Sequence, residues 1–407
     1  MDSTNLFHSR WSRLQQIWAL FALVLFAVTY RLWLPENPFP RVPLLSVFTS
    51  EIVQATWIHY LMLSSGVISL LIILIKPNQR VWMLTIGSLV ALFSLNQHHL
   101  QPWAFHLFLG ATVFAMCSYE SGIRLLRILC ISIYLFSAAG KFDYQFVHTV
   151  GGQFLDALFG LFGENTKQLS AEFTATLALI FPAFELLVAV LLGIAKTRKL
   201  GIFAAILLHA SIMLILSPLG LDHKPGVIIW NGLFLSLIPI LFRDAVQTAR
   251  KKNDLFRTRI ASTIIWLASI FPILEPFGKY DHWLAWGLYS PRTSRVKVYI
   301  PLHQIARLSE LEPYLSPEDG TTPFRLLEIR HWSLEELKVP IYPQDRFQLA
   351  VARYIAHHYR LESGIEVHLE GIANRFTGER KVEILRGKHE IDMRCEQFFF
   401  STDFVGN

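Results

Sequence analysis

The sequence predicts an all-α polytopic membrane bundle of about nine transmembrane helices, with a C-terminal α+β extracytoplasmic domain. Three observations carry that expectation. The first is composition: of 407 residues, 53% are hydrophobic and 17% charged, with a mean hydropathy of +0.39, against about 25% charged in an average soluble domain. The second is that the apolar residues gather in runs long enough to cross a hydrocarbon core about 30 Å thick, which takes about 20 residues of helix. The third is a break near Tyr280, after which charged residues become frequent and apolar ones alternate instead of clustering.

The runs place spans near residues 18–34, 56–75, 81–95, 103–117, 125–139, 173–195, 200–216, 227–242 and 260–273. The third and fourth are short. The first reads as a span, because no small-residue cleavage site of a signal peptide follows it. Beyond the break, 295–300, 365–369 and 381–385 alternate as half-buried strands do, and 344–361 carries a helical apolar period through Phe347, Leu349, Val351, Tyr354 and Ile355. The chain thus divides into a transmembrane bundle over 1–279 and a small soluble domain over 280–407.

Orientation follows from loop charge, since Lys and Arg are retained on the cytoplasmic side. Alternate loops hold fifteen Lys and Arg on one side and five on the other. The N-terminus is therefore expected in the cytoplasm and the C-terminal domain outside, in the cell (inner) membrane. The net charge of +6 does not point to nucleic acid. Its densest cluster, Arg250-Lys251-Lys252, lies between apolar stretches, where it acts as a topogenic signal. Cys117, Cys130 and Cys395 have neither disulfide nor metal-site spacing and read as packing residues.

Ionisable groups within spans are costly, so each is a candidate for function. Glu185 and His209 both lie twelve residues from Thr197 in the turn joining their spans, which puts them at equal depth in an antiparallel hairpin about 18 Å from the turn. Separate satisfaction of each by neighbouring groups is the alternative to a pair. Lys141 ends the fifth span, with Ser137 four residues before it and Tyr134 three before that, on one helical face. A Lys snorkelling to the interface is the bland reading, set against the scarcity of basic residues at that end. The loop 96–103 carries His98, His99 and Trp103, with His106 one turn beyond and His59 near the end of its span. No ligand-spaced carboxylate accompanies them, so no metal site is expected. The apolar run 154–162 could lie as a helix over the mouth of a cavity beside Lys141.

The segment Tyr134-Leu135-Phe136-Ser137-Ala138-Ala139-Gly140-Lys141-Phe142-Asp143, preceded by loop 96–103 and followed by Glu185 and His209, resembles the HTTM family. That family includes the vitamin K-dependent γ-carboxylases and is similar to the DoxX-like membrane proteins. The resemblance covers roughly 10–275. In the carboxylases an aromatic-rich span ends in Lys, a hydrophobic residue and Asp, as Lys141-Phe142-Asp143 does here. The family Lys is the base that starts vitamin K hydroquinone oxidation, which the resemblance implies for Lys141. Gln97-His98 resembles the family's Asn-His element and Leu208-His209 its Phe-His element. The C-terminal part is much shorter than in animal carboxylases and has no counterpart of a large propeptide-binding region, so carboxylation of protein glutamates does not carry over. A DoxX-like redox role has no cysteine pair to support it.

These readings combine into a membrane protein that binds or acts on a quinone-like or lipid-like molecule at the outer leaflet. Lys141 would be the base, since partial burial disfavours the charged ammonium, with His98 and His209 as proton partners and Glu185 orienting one of them. Tyr134, Ser137, Trp103 and His99 would contact the lipophilic molecule. Two other classes fit the same features: a non-catalytic anchor presenting the C-terminal domain to a protein partner, and a proton-coupled transporter using Glu185 and His209.

Overall fold

The computed structural model describes residues 3–51, 54–243, 255–318, 320–361 and 364–405. The Arg250-Lys251-Lys252 cluster lies outside them. Among the described residues, seven helices are long and apolar enough to cross a membrane: Ser9–Val28, Thr56–Ile75, Tyr119–Lys141, Ala171–Gly193, Arg198–Leu216, Pro225–Phe242 and Phe256–Phe277. The third and fourth expected spans form shorter apolar helices, Gln79–Leu95 and Pro102–Met116. The first span begins well before residue 18, because Arg10, Arg13, Gln15 and Gln16 are helical despite their polarity. The chain is a multi-pass integral membrane protein. Large apolar side chains that would be buried in a water-soluble fold stand exposed along these helices, as Ile68, Leu71, Ile72 and Ile75 do on one and Leu200, Phe203, Leu207 and Leu214 on another. Such stripes need lipid rather than water against them.

The chain forms two compact units. The first comprises Met1–Val28, Ser64–Leu89 and Pro102–Pro291. In it the Tyr119–Lys141 helix packs on Ile180–Gly193, which packs on Arg198–Leu216, which packs in turn on Pro225–Phe242; Ser3–Val28 lies against the last of these. The hairpin between Gly193 and Arg198 is tight because Gly201 sits against the neighbouring backbone, where an added Cβ would meet Leu191 C and Leu192 N at 2.8 Å. No side chain fits there. The long link after Lys141 contains the helix Val150–Gly160, whose Phe154 is buried with Ile215 and Leu216.

The second unit comprises Thr29–Leu63, Val90–Gln101 and Arg292–Asn407. Its C-terminal part starts later than the expected 280–407 domain, and it draws in two segments from the first quarter of the chain. The break in composition marks where polarity changes, not which segments pack together. Its sheet is antiparallel, ordered β2-β1-β3-β4, with β1 Arg295–Pro301, β2 Phe324–Leu327, β3 Glu366–Glu370 and β4 Val382–Arg386. Val298 pairs with both Leu327 and Val367, and Val367 with Leu385. The inward set Val296, Val298 and Ile300 is buried, and the helix Asp345–His358 covers it with Phe347, Val351 and Ile355. The early segments join through backbone and side chain. Arg41 bridges to Val405, Ser401 N donates to Leu44 O, and the Gln97 amide donates to Pro43 O at 2.9 Å and Ser401 O at 2.7 Å while accepting from Arg346.

Replacing Gly201 by Ala forces the backbones of Ile180–Gly193 and Arg198–Leu216 apart. We expect the melting temperature of the purified protein to fall by an amount corresponding to about 1–3 kcal/mol, as overpacking usually costs. Thermal denaturation in detergent measures it, and an unchanged midpoint would show that the hairpin has slack.

Candidate functional site

Lys141 reaches its site because its helix runs one turn past the apolar stretch, ending at Phe142; Asp143 then caps the next helix by accepting from Phe146 N at 3.0 Å. The Lys141 ammonium donates to Glu185 Oε2 at 2.6 Å and to Ser137 Oγ, one turn back on its own helix, at 2.7 Å. Lys141 and Glu185 are 8% and 9% exposed. Removing water from a charged pair is repaid only when the geometry is close and the remaining donors are bonded, and Ser137 supplies one of those bonds.

The expected pairing of Glu185 with His209 is corrected by this geometry: the Glu185 carboxylate takes the ammonium, a stronger partner than a neutral imidazole. His209 instead links Tyr134 to Asn231. Tyr134 Oη lies 2.5 Å from His209 Nε2, His209 Nδ1 lies 2.7 Å from Asn231 Oδ1, and Asn231 Nδ2 donates to Val227 O at 2.8 Å. A main-chain oxygen only accepts, so the Asn231 NH2 must face Val227 and its oxygen must face His209. His209 therefore carries its proton on Nδ1, and Nε2 accepts from the Tyr134 hydroxyl. Donation runs from Tyr134 through His209 and Asn231 to the Val227 carbonyl. Phe234 stacks on the imidazoles of both His209 and His106, within 8° and 6° of parallel, which fixes the ring planes.

Both polar systems line one cavity of about 70 Å³, together with Phe154, Trp230, Trp286 and Tyr289. That is space for a few waters at most, at about 30 Å³ each in the liquid. Trp286 and Tyr289 belong to the segment after the last apolar helix and both have φ of 64°, a conformation that bulky residues rarely adopt and that concentrates at ligand clamps. Trp286 Nε1 and Tyr289 Oη are buried with no hydrogen-bond partner among the described residues. Two donors thus stand unused at the wall of a cavity whose other wall holds Lys141.

Of the expected site residues, Lys141, Glu185, His209, Tyr134 and Ser137 line this cavity; His98, His99 and Trp103 are not among its lining residues. His98 and His99 fold into the second unit. His98 Nε2 meets Pro340 O at 2.9 Å, and His99 stacks on Trp33 at 4.6 Å with its ring nitrogens at the carbonyls of Leu92 and Leu32. The four-residue polar column expected from depth is therefore corrected to three, because helix rise predicts height along an axis and not which segments a loop folds with. Trp103 is buried edge-on against Phe26 at 5.1 Å. Asn231 escaped the sequence reading, although an amide in the middle of a span carries the same cost signal as His209. Trp286 and Tyr289 had no such signal. Comparison with known proteins finds no matching family model, no matching curated protein and no matching solved structure.

His98 and His99 are fully buried, and burial pushes their imidazoles down from 6.5 to about 3 and about 4 respectively. Folded pKa values below the unfolded one mean that the unfolded chain binds more protons in acid. This stability is complete above pH 6.5 and is lost as pH falls toward 4 for His99 and 3 for His98. At pH 5 each histidine accounts for about 2 kcal/mol, at 1.36 kcal/mol per unit. Melting temperature should therefore drop between pH 7 and pH 5, and His98→Gln should make that slope shallower; equal slopes in the two proteins would count against a neutral buried His98.

Proposed function

We propose that the first unit is a membrane enzyme of the HTTM type, which binds a quinone-like ring from the outer half of the bilayer and removes a proton from it with Lys141. The observation that carries this reading is the pairing of Lys141 with Glu185 on the wall of a cavity that also holds two unused aromatic donors. An ammonium is no base. Glu185, at 2.6 Å, is placed to take the Lys141 proton when a ring enters. The free amine can then take a proton from an acidic ring hydroxyl. Trp286 N–H and Tyr289 O–H are suited to hold ring oxygens, and His209, oriented by Asn231, offers its Nε2 beside Tyr134 as a second proton acceptor.

At about 70 Å³ the cavity is well below the roughly 300–1,000 Å³ of small-molecule sites, so binding a ring requires the 281–290 segment or the Val150–Gly160 helix to yield. The test is oxygen uptake by the purified protein supplied with a reduced naphthoquinone, alongside tryptophan quenching by the oxidised form. Lys141→Gln should lower turnover about 100-fold or more, the range of a lost general base, while quenching persists. A protein that neither binds nor oxidises the quinone, yet loses proton uptake into vesicles on Glu185→Gln, is a transporter instead.

We further propose nine spans, with the N-terminus in the cytoplasm of a cell (inner) membrane, on the strength of the loop-charge asymmetry. Lys167 and Lys196 are both exposed and fall on opposite sides in this arrangement. A cysteine at 167 should react with an impermeant maleimide added outside intact cells, and one at 196 only after lysis. The reverse pattern inverts the topology.

A further inference from the structure

A separate cavity of about 290 Å³ lies wholly within the second unit, at the lower end of the volumes that hold small molecules. Trp332 and Tyr354 are buried in its wall, and Tyr314 and Tyr359 are half-buried beside them. Two carboxylates border it. Glu336 Oε1 accepts from the Tyr314 hydroxyl at 2.5 Å, and Glu310 Oε2 from that of Tyr359 at 3.5 Å. Neither carboxylate forms an ion pair among the described residues; Arg31 donates to the main-chain oxygen of Glu336 and feels its charge from a distance.

Arg41 also lines the cavity. It is 6% exposed, and its Nη1 is buried with no hydrogen-bond partner among the described residues. A buried guanidinium without a carboxylate costs several kcal/mol relative to a paired one, and here two carboxylates line the same cavity without closing on it. Aromatic faces with carboxylates recognise an ammonium group. A guanidinium fork recognises a phosphate or carboxylate. Groups of both signs that line one small cavity without pairing to each other complement a ligand that carries both charges.

We propose that this cavity is a second ligand site, for a small zwitterion with an ammonium group and an acidic group, such as phosphocholine, free or as the headgroup of a lipid. The ammonium lies among Trp332, Tyr314 and the two carboxylates, and the acidic group lies on Arg41. The site is independent of Lys141 and of any quinone.

Isothermal titration of the full-length protein in a maltoside detergent tests this with three probes: phosphocholine, choline and inorganic phosphate. Phosphocholine should bind at least tenfold more tightly than either of the others. Glu336→Gln should weaken choline and phosphocholine alike by tenfold or more. Arg41→Gln should reduce phosphocholine to the affinity of choline and leave choline unchanged. Should that buried substitution prevent folding, Glu310→Gln at the exposed rim should still weaken both ammonium ligands. Dihexanoyl phosphatidylcholine below its micelle concentration separates the sources: tenfold tighter binding than phosphocholine marks a lipid headgroup, and equal or weaker binding marks a free solute. Phosphocholine binding no tighter than choline, or unaffected by Glu336→Gln and Glu310→Gln, overturns the proposal.

Discussion

Two opposite charges that meet at 2.6 Å in an apolar enclosure set the arrangement of the first unit. Neither Lys141 nor Glu185 could be left alone there, since removing one member of a buried pair strands the other at a cost of about 3–5 kcal/mol. The pair therefore requires the Tyr119–Lys141 and Ile180–Gly193 helices to be neighbours, even though a long link separates them in the chain. The tight hairpin at Gly201 then delivers His209 on the next helix to the same depth, where it meets Tyr134 from the Lys141 helix. One ion pair and one short turn thereby bring three helices into register around a common space. The aromatic stack on Phe234 keeps the histidine in plane, so its hydrogen bonds have a fixed direction.

Much of this was legible in the sequence, and what was not has physical causes. Hydrophobic runs located the apolar helices to within a few residues except at the first, where a polar first half is helical because it packs, as the Gln15 side chain shows by accepting from the Trp82 indole at 2.7 Å. Strands β1, β3 and β4 were visible as alternation, whereas β2 is a four-residue edge strand with no alternation to read. Equal distance from Thr197 placed Glu185 and His209 at one height, but azimuth accumulates by 100° per residue and a hairpin does not specify it. Their partners proved to be Lys141 and Tyr134. The left-handed conformations of Trp286 and Tyr289 are set by the fold, and no residue type announces them.

The polar chemistry of the chain is divided between its two units. In the first, hydrogen bonds run between side chains in an apolar surround, where each is worth more and each omission costs more. In the second, carboxylates are held by tyrosine hydroxyls around a larger cavity, and Asp392 sits between Arg353 and His357. Burial alone would raise that Asp392 carboxyl, but the hydrogen bonds from His357 and Arg353 outweigh it and hold it below its ordinary value. The histidines of loop 96–101 are held neutral, by contrast, because burial outweighs the main-chain carbonyls that would favour their protonated form.

The closure of loop 96–101 by the chain's last residues has a consequence for the order in which the protein is made. Gln97 donates to the carbonyl of Ser401, 304 residues later, and Arg41 waits longer still for Val405. At about 5–20 residues per second, translation leaves these loops without their partners for roughly 15–75 s. During that interval the apolar helices on either side can already be inserted, while His98, His99 and Arg41 stay hydrated and free to ionise. The contacts that complete the second unit therefore form only late in synthesis. A truncation of only the last few residues would reach back to the first hundred.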